Sequence, residues 1–196
     1  MKSIKFRITG TMPLMLNNPQ TVSPFNEFTK KLKPLTSKRT KTDDDMLEIY
    51  KLKFLASLYT NSQGKYILPA EHIANALIAA AKERKLGAKF TRSMQVIGDS
   101  EIQFKDADKT PEQLYEIGTY VDIRAVGIKN SKVPTARAII PEWSLETEVW
   151  YDETQLDTKD IKDCMEIAGL RYGVGTFRKI YGKFKAETIK QYSAVK

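Results

Sequence analysis

Few residues in this 196-residue chain have the types and spacing for covalent chemistry. There is one histidine, His72, and one cysteine, Cys164. A lone imidazole cannot build a site that needs two, and a lone thiol can form neither an internal disulfide nor a cysteine-rich metal centre. Glu71 adjoins His72, but neighbours in sequence do not face one another on a helix, so the two are not an acid–base dyad by position. Asp43, Asp44 and Asp45 have the oxygen chemistry of a magnesium site. Consecutive carboxylates also suit a helix start, where they cap amides and complement the dipole, and that is the simpler reading. Cys164 falls on an apolar helical stripe and reads as an inert core thiol. The expectation is a chain that is not an enzyme and holds no metal or cofactor.

Binding chemistry is better represented. Gly169 to Phe184 reads Gly-Leu-Arg-Tyr-Gly-Val-Gly-Thr-Phe-Arg-Lys-Ile-Tyr-Gly-Lys-Phe. Gly173 and Gly175 allow sharp turns and close backbone approach to a phosphate. Arg171, Arg178, Lys179 and Lys183 supply charge, and Tyr172, Phe177 and Tyr181 offer faces on which bases can stack. The segment is no dinucleotide fingerprint: Arg178 stands where the third small residue is required, and the segment follows a helix instead of a strand. It has no Gly-Lys-Ser/Thr and so is no Walker A loop.

The formal charge of +8 is segregated. Residues 28–42 hold Lys30, Lys31, Lys33, Lys38, Arg39 and Lys41 without an acid. Residues 82–92 include Lys89 and Arg92, residues 123–141 carry Arg124, Lys129, Lys132 and Arg137, and residues 168–186 cover the glycine segment. These four windows total +19, leaving −11 for the rest. Basic groups concentrated in this way can meet phosphates together, which an evenly mixed surface cannot.

Such loops need a scaffold. Ile4, Phe6 and Ile8 alternate with polar residues as in a half-buried strand. Residues 11–42 hold four prolines and no sustained period, the mark of a long excursion from the core. Helical spacing follows from Asp43 to about Tyr59, and again from Pro69 to about Lys85. Residues 87–118 are mixed, with a strand near Glu101–Phe104 and a turn or short helix after Thr110-Pro111. Strands are expected from Tyr120 to Ile128 and from Trp143 to Tyr151, with a basic connector between them. Trp143 and Trp150 can anchor either the core or an interface. Asp157-Thr158 opens a last helix, Gly169 takes the C-cap, and a strand runs from about Phe184 to Ile189. The order reads strand, helix, strand, strand, helix, strand. That is an α+β, ferredoxin-like (RRM-like) split βαβ core in one domain over residues 1–196. The core covers approximately 3–10, 66–86 and 119–189, with insertions at 11–65 and 87–118. No apolar run approaches the roughly 18 residues of a membrane span, and a cytoplasmic location is expected.

Three segments resemble the RAMP (repeat-associated mysterious protein) superfamily, which includes backbone subunits of CRISPR effector complexes. Thr9-Gly10-Thr11-Met12-Pro13-Leu14 is similar to that family's first strand and its Pro-Leu turn. Tyr66-Ile67-Leu68-Pro69-Ala70-Glu71-His72-Ile73 is similar to its aliphatic-Pro approach to the first helix. Gly169–Phe184 resembles its C-terminal glycine loop. Asn75 and Ala76 stand where the family has glycine and arginine, which points to a stand-alone relative of the kind a bacteriophage encodes. The basic loops and stacking aromatics point to sequence-independent binding of single-stranded nucleic acid, and the resemblance implies copies that assemble head to tail along the strand. Single-stranded DNA is favoured for a stand-alone copy serving replication or recombination. The alternatives are a guide-RNA-binding effector subunit and an assembly protein that binds no nucleic acid.

Overall fold

The computed structural model describes residues 1–128 and 131–192. In chain order the elements are β1 (Lys2–Gly10), β2 (Leu14–Met15), α1 (Glu27–Thr36), α2 (Asp43–Ser57), β3 (Ile67–Leu68), α3 (Ala70–Glu83), α4 (Gly87–Ser93) and β4 (Met94–Ile97). There follow β5 (Ser100–Glu101), α5 (Pro111–Ile117), β6 (Val121–Ile128), β7 (Ser131–Ile140), β8 (Ser144–Tyr151), α6 (Thr158–Ile167) and β9 (Phe184–Tyr192). A 3-10 turn lies at Pro19–Val22 and a π-helical turn at Ala168–Tyr172. The content is mixed α and β with antiparallel pairing.

The chain divides into two compact units. The first comprises Met1–Leu14, Thr60–Ala107 and Pro141–Lys196. Its sheet has the order β4-β8-β1-β9. Ile4, Phe6 and Ile8 of β1 lie across from Val149, Thr147 and Leu145 of β8, and all six are buried. Antiparallel register keeps paired residues on one face, so the alternation legible in each strand adds up to a single apolar surface. Against that side lie α3, whose Ile73, Ala76, Leu77, Ala80 and Ala81 recur at helical spacing, and α6, with Ile161, Cys164 and Met165. The helix α3 packs on β4 and α6, and α6 on β9. The opposite face carries its own ion pairs: Lys5 and Arg7 both reach Glu146 at 2.9 Å, and the Trp150 indole donates to Glu148 at 2.7 Å. Trp143 is buried, lies against Gly10 and donates to the Met12 carbonyl at 2.9 Å.

The second unit comprises Met15–Tyr59 and Asp108–Ile140. It contains α1, α2 and α5 with the β6–β7 hairpin, whose register runs from Val121↔Ala138 to Ile128↔Ser131. Here α2 packs against β7, α1 and α5, with Phe54 and Tyr115 rings 5.5 Å apart. Asp45 and Thr42 form a reciprocal cap at the start of α2, so the acidic triplet begins a helix.

Three expectations change, while the segment after β1 and the hairpin build the core of the second unit. The strand assigned as the second of the main sheet, β6, pairs with β7 instead, and its place beside β8 is taken by β4. Ser131–Ile140 of the expected connector is therefore strand: a partner close in sequence loses less closure entropy than a distant one. Pro134 obscured β7, yet β2 is only two residues long, so β7 has edge where a missing N–H is tolerated. Residues 11–42 include a helix, α1, started by Asn26, whose side chain accepts from the Phe28 amide at 2.9 Å; Pro34 near its end had masked it. Finally, α6 does not stop at Gly169 but runs on through the π-helical turn to Gly173, where φ is +68°.

Candidate nucleic-acid interface

The three segments singled out in the sequence meet in the first unit. Gly182 N donates to Pro13 O at 2.8 Å and Thr11 N to Lys183 O at 2.8 Å, which ties the turn after β1 to the glycine segment. Val174 N donates to Gly182 O at 2.9 Å and closes the loop between them. A Cβ at Gly173 would stand 2.8 Å from the Gly182 carbonyl oxygen, and one at Gly182 would overlap the Val174 carbonyl. Gly169 is likewise pressed against the Phe184 backbone and ring. These glycines admit chain against chain, so the absence of a side chain at Gly173 serves the closure of the loop.

What the closed loop presents is its tip. Phe177 holds a φ of +51°, unusual for a residue with a side chain, and its carbonyl accepts from Ile180 N at 3.0 Å and Tyr181 N at 3.1 Å. Phe177 is 40% exposed and Ile180 57%. Arg178 and Lys179 are exposed and pair with no carboxylate among the described residues. Tyr181 is half-buried, and Gly175, at φ +77°, is half-buried before the tip. Two cations, an aromatic ring and an aliphatic side chain on a braced loop can contact phosphates and stack on bases together.

Other members of the segment are engaged within the protein. Glu83 at the end of α3 accepts from Arg171 at 2.5 Å and from the Tyr172 hydroxyl at 2.7 Å. Lys183 donates to the Arg171 carbonyl, and burial, reinforced by Arg178, pushes its pKa down. At the other end of α3, burial holds the His72 imidazole below its usual range; Glu71 opposes this and Arg178 adds to it. The loop tip therefore lies within electrostatic reach of the first turn of α3. Burial raises the pKa of Cys164.

Lys89 and Arg92 are exposed on α4 of the same unit. The other two basic windows belong to the second unit. Lys30, Lys31 and Lys33 line α1, exposed; Lys38 pairs with Asp45 at 2.6 Å, Lys41 donates to the Lys38 carbonyl at 2.8 Å, and Arg39 is exposed. Arg124 is clamped to Asp122. Arg137 donates to Asn17 at 3.1 Å. Lys129 lies outside the described residues, and Lys132 is described only by its backbone place on β7. Two participants were not singled out as site residues from the sequence: Gly182 and Glu83. Only Gly182 had a local signal, as the fourth glycine of its segment.

No protein-family model and no curated protein matches this chain. Among solved structures it is similar to a chain in the cryo-EM structure of the Type III-B Cmr-beta bound to cognate target RNA. The identity is 15% and the TM-score 0.53, over 97% of this chain and 61% of that one, so this chain spans about three fifths of that chain's length. The crystal structure of Thermofilum pendens Csc2 aligns over 99% of this chain and 67% of that one at 7% identity, with a TM-score of 0.34. The likeness to the Cmr-beta chain is one of fold.

Proposed function

We propose that this chain is a non-catalytic subunit that binds single-stranded nucleic acid, RNA foremost, as a RAMP-type relative of CRISPR effector subunits. The observation that carries the reading is the braced loop tip with Phe177, Arg178, Lys179 and Ile180 turned to solvent. The order β4-β8-β1-β9, with α3 and α6 as the connecting helices, supports reading the first unit as a split βαβ, ferredoxin-like core. RNA takes precedence over the single-stranded DNA favoured from sequence because the similar fold belongs to a complex bound to target RNA. The non-catalytic reading is supported by a buried thiol held protonated and a half-buried histidine beside a cation.

Fluorescence anisotropy with single-stranded RNA, single-stranded DNA and duplex probes of equal length tests it. Single strands should bind with a log–log salt slope of about −0.7 per phosphate contacted. The variant Arg178→Ala/Lys179→Ala should lose on the order of tenfold in affinity while remaining folded by circular dichroism. No binding at about 50 mM salt ends the nucleic-acid reading, and unchanged affinity in the folded double variant moves the interface off this loop.

A further inference from the structure

The second unit holds a groove of about 350 Å³ between α2, β7 and the segment after β2. Its volume lies at the lower end of small-ligand sites, roughly 300–1,000 Å³. Its polar wall is built from Asn17, Asn18, Thr21, Lys53, Thr135 and Arg137, and no acidic side chain lines it among the described residues. We propose that this groove is a binding site for a single phosphate group, held between the Lys53 ammonium and the Arg137 guanidinium. The inference is independent of the loop at 177–181, which lies in the other unit.

The geometry makes the pair unusual. Lys53 is half-buried, with Nζ 3.3 Å from Pro134 O and 3.5 Å from Thr135 Oγ1, both neutral acceptors. Arg137 is half-buried on the same strand and held by Asn17. Burial depresses both cations; Arg137 further lowers Lys53, and Arg124 further lowers Arg137. One carboxylate, Asp122, lies opposite Arg137 in the hairpin register and pulls the other way, but Arg124 clamps it. Among the described residues, Lys53, Arg124 and Arg137 lie near one another with Asp122 as the carboxylate that acts on them. Like charges held in a half-buried cleft disfavour the empty state, and a dianion relieves both at once. Arg suits a phosphate bidentately and Lys as a point charge, with Thr21 and Thr135 supplying hydroxyls at the same wall.

The cleft is also rigid enough to be a site. Asn18 N donates to Ser57 O at 3.0 Å, Ser57 Oγ accepts from Ala138 N at 2.8 Å, and Gln20 Nε2 donates to Ala56 O at 2.8 Å. These bonds join all three walls, so the two cations are positioned before any ligand arrives.

Calorimetry on the full chain in chloride buffer, with inorganic phosphate, adenosine 5′-monophosphate and adenosine as probes, tests the proposal. Phosphate and the monophosphate should bind and adenosine should not. Lys53→Met and Arg137→Met should each weaken phosphate on the order of tenfold or more, and Lys53→Arg should largely restore it. Equal binding of adenosine, or unchanged affinity in both Met variants, overturns the site. Should those variants fail to fold, acylation of wild-type lysines read by mass spectrometry decides the matter. Phosphate should protect Lys53 more than chloride of equal ionic strength does, and equal protection overturns it. Addition of a saturating oligonucleotide without terminal phosphate then tells the source. Loss of phosphate binding assigns the groove to a strand's phosphodiester, and its retention assigns it to free phosphate or a mononucleotide. This test and that of the loop use different residues and ligands, so either can fail alone.

Discussion

Gly173 and Gly182 face each other across the neck of the glycine loop, where neither has room for a Cβ. Both also hold positive φ, so a side chain would meet a backbone carbonyl and an unfavourable dihedral at once. Gly182→Ala should therefore destabilise the protein by about 1–3 kcal/mol, the range for overpacking a filled site. Thermal denaturation would register this as a fall of roughly 2–4 °C per kcal/mol in a chain of this size. His72 supports a prediction with a definite sign. Its pKa is lowered in the folded state, so below about 6.5 the unfolded chain binds more protons. Stability should fall as pH drops below that value and level off beyond the folded pKa. Urea denaturation at pH 7.5 and 5.5 should show a smaller loss in His72→Gln than in the wild type, and an equal loss refutes the assignment.

At the scale of elements, the last turn of α3 sets the position of the turn that follows α6. One carboxylate, Glu83, holds both Arg171 and Tyr172, while the loop neck is held from the other side by Pro13. The Arg171 pair is largely solvated, and exposed pairs of this kind contribute about 0–1 kcal/mol. Glu83→Ala should then leave global stability almost unchanged but loosen the loop locally. Limited trypsin digestion should cut after Arg178 or Lys179 several-fold faster in the variant, with a thermal midpoint within about 2 °C of wild type. Equal cleavage rates would mean that the neck hydrogen bonds alone order the tip.

For the whole molecule, the four basic windows divide equally between the two units. Neutralising Lys30, Lys31 and Lys33 on α1 tests whether the second unit also meets a strand. If it does, the salt slope should shrink by about 0.7 for each phosphate that the variant no longer neutralises. An unchanged slope confines strand binding to the first unit. Head-to-tail assembly would appear in light scattering as particle mass rising with oligonucleotide length, and a constant mass at every length rules it out.

Sequence alone determined the elements whose signals are local. The alternation in β1 and β8, the amphipathic spacing of α3 and α6, and the acidic start of α2 were legible because each depends on neighbours within a few residues. The glycine segment and the basic windows were legible too, since charge and backbone freedom are properties of residue type. Pairing was not. Whether 121–128 joins β8 or folds back on 131–140 turns on closure entropy and on Met94–Ile97 filling the edge, neither of which any one segment encodes. Tertiary structure also sorted the cations. Arg171, Lys183, Lys38 and Arg124 found internal partners, while Arg178 and Lys179 were left at a solvent-facing tip. Lys53, one of several lysines in the sequence, reaches Thr135 of β7 only because α2 packs on that strand. Partner choice depends on distance in space, and a side chain about 80 residues away in sequence leaves no trace in local pattern.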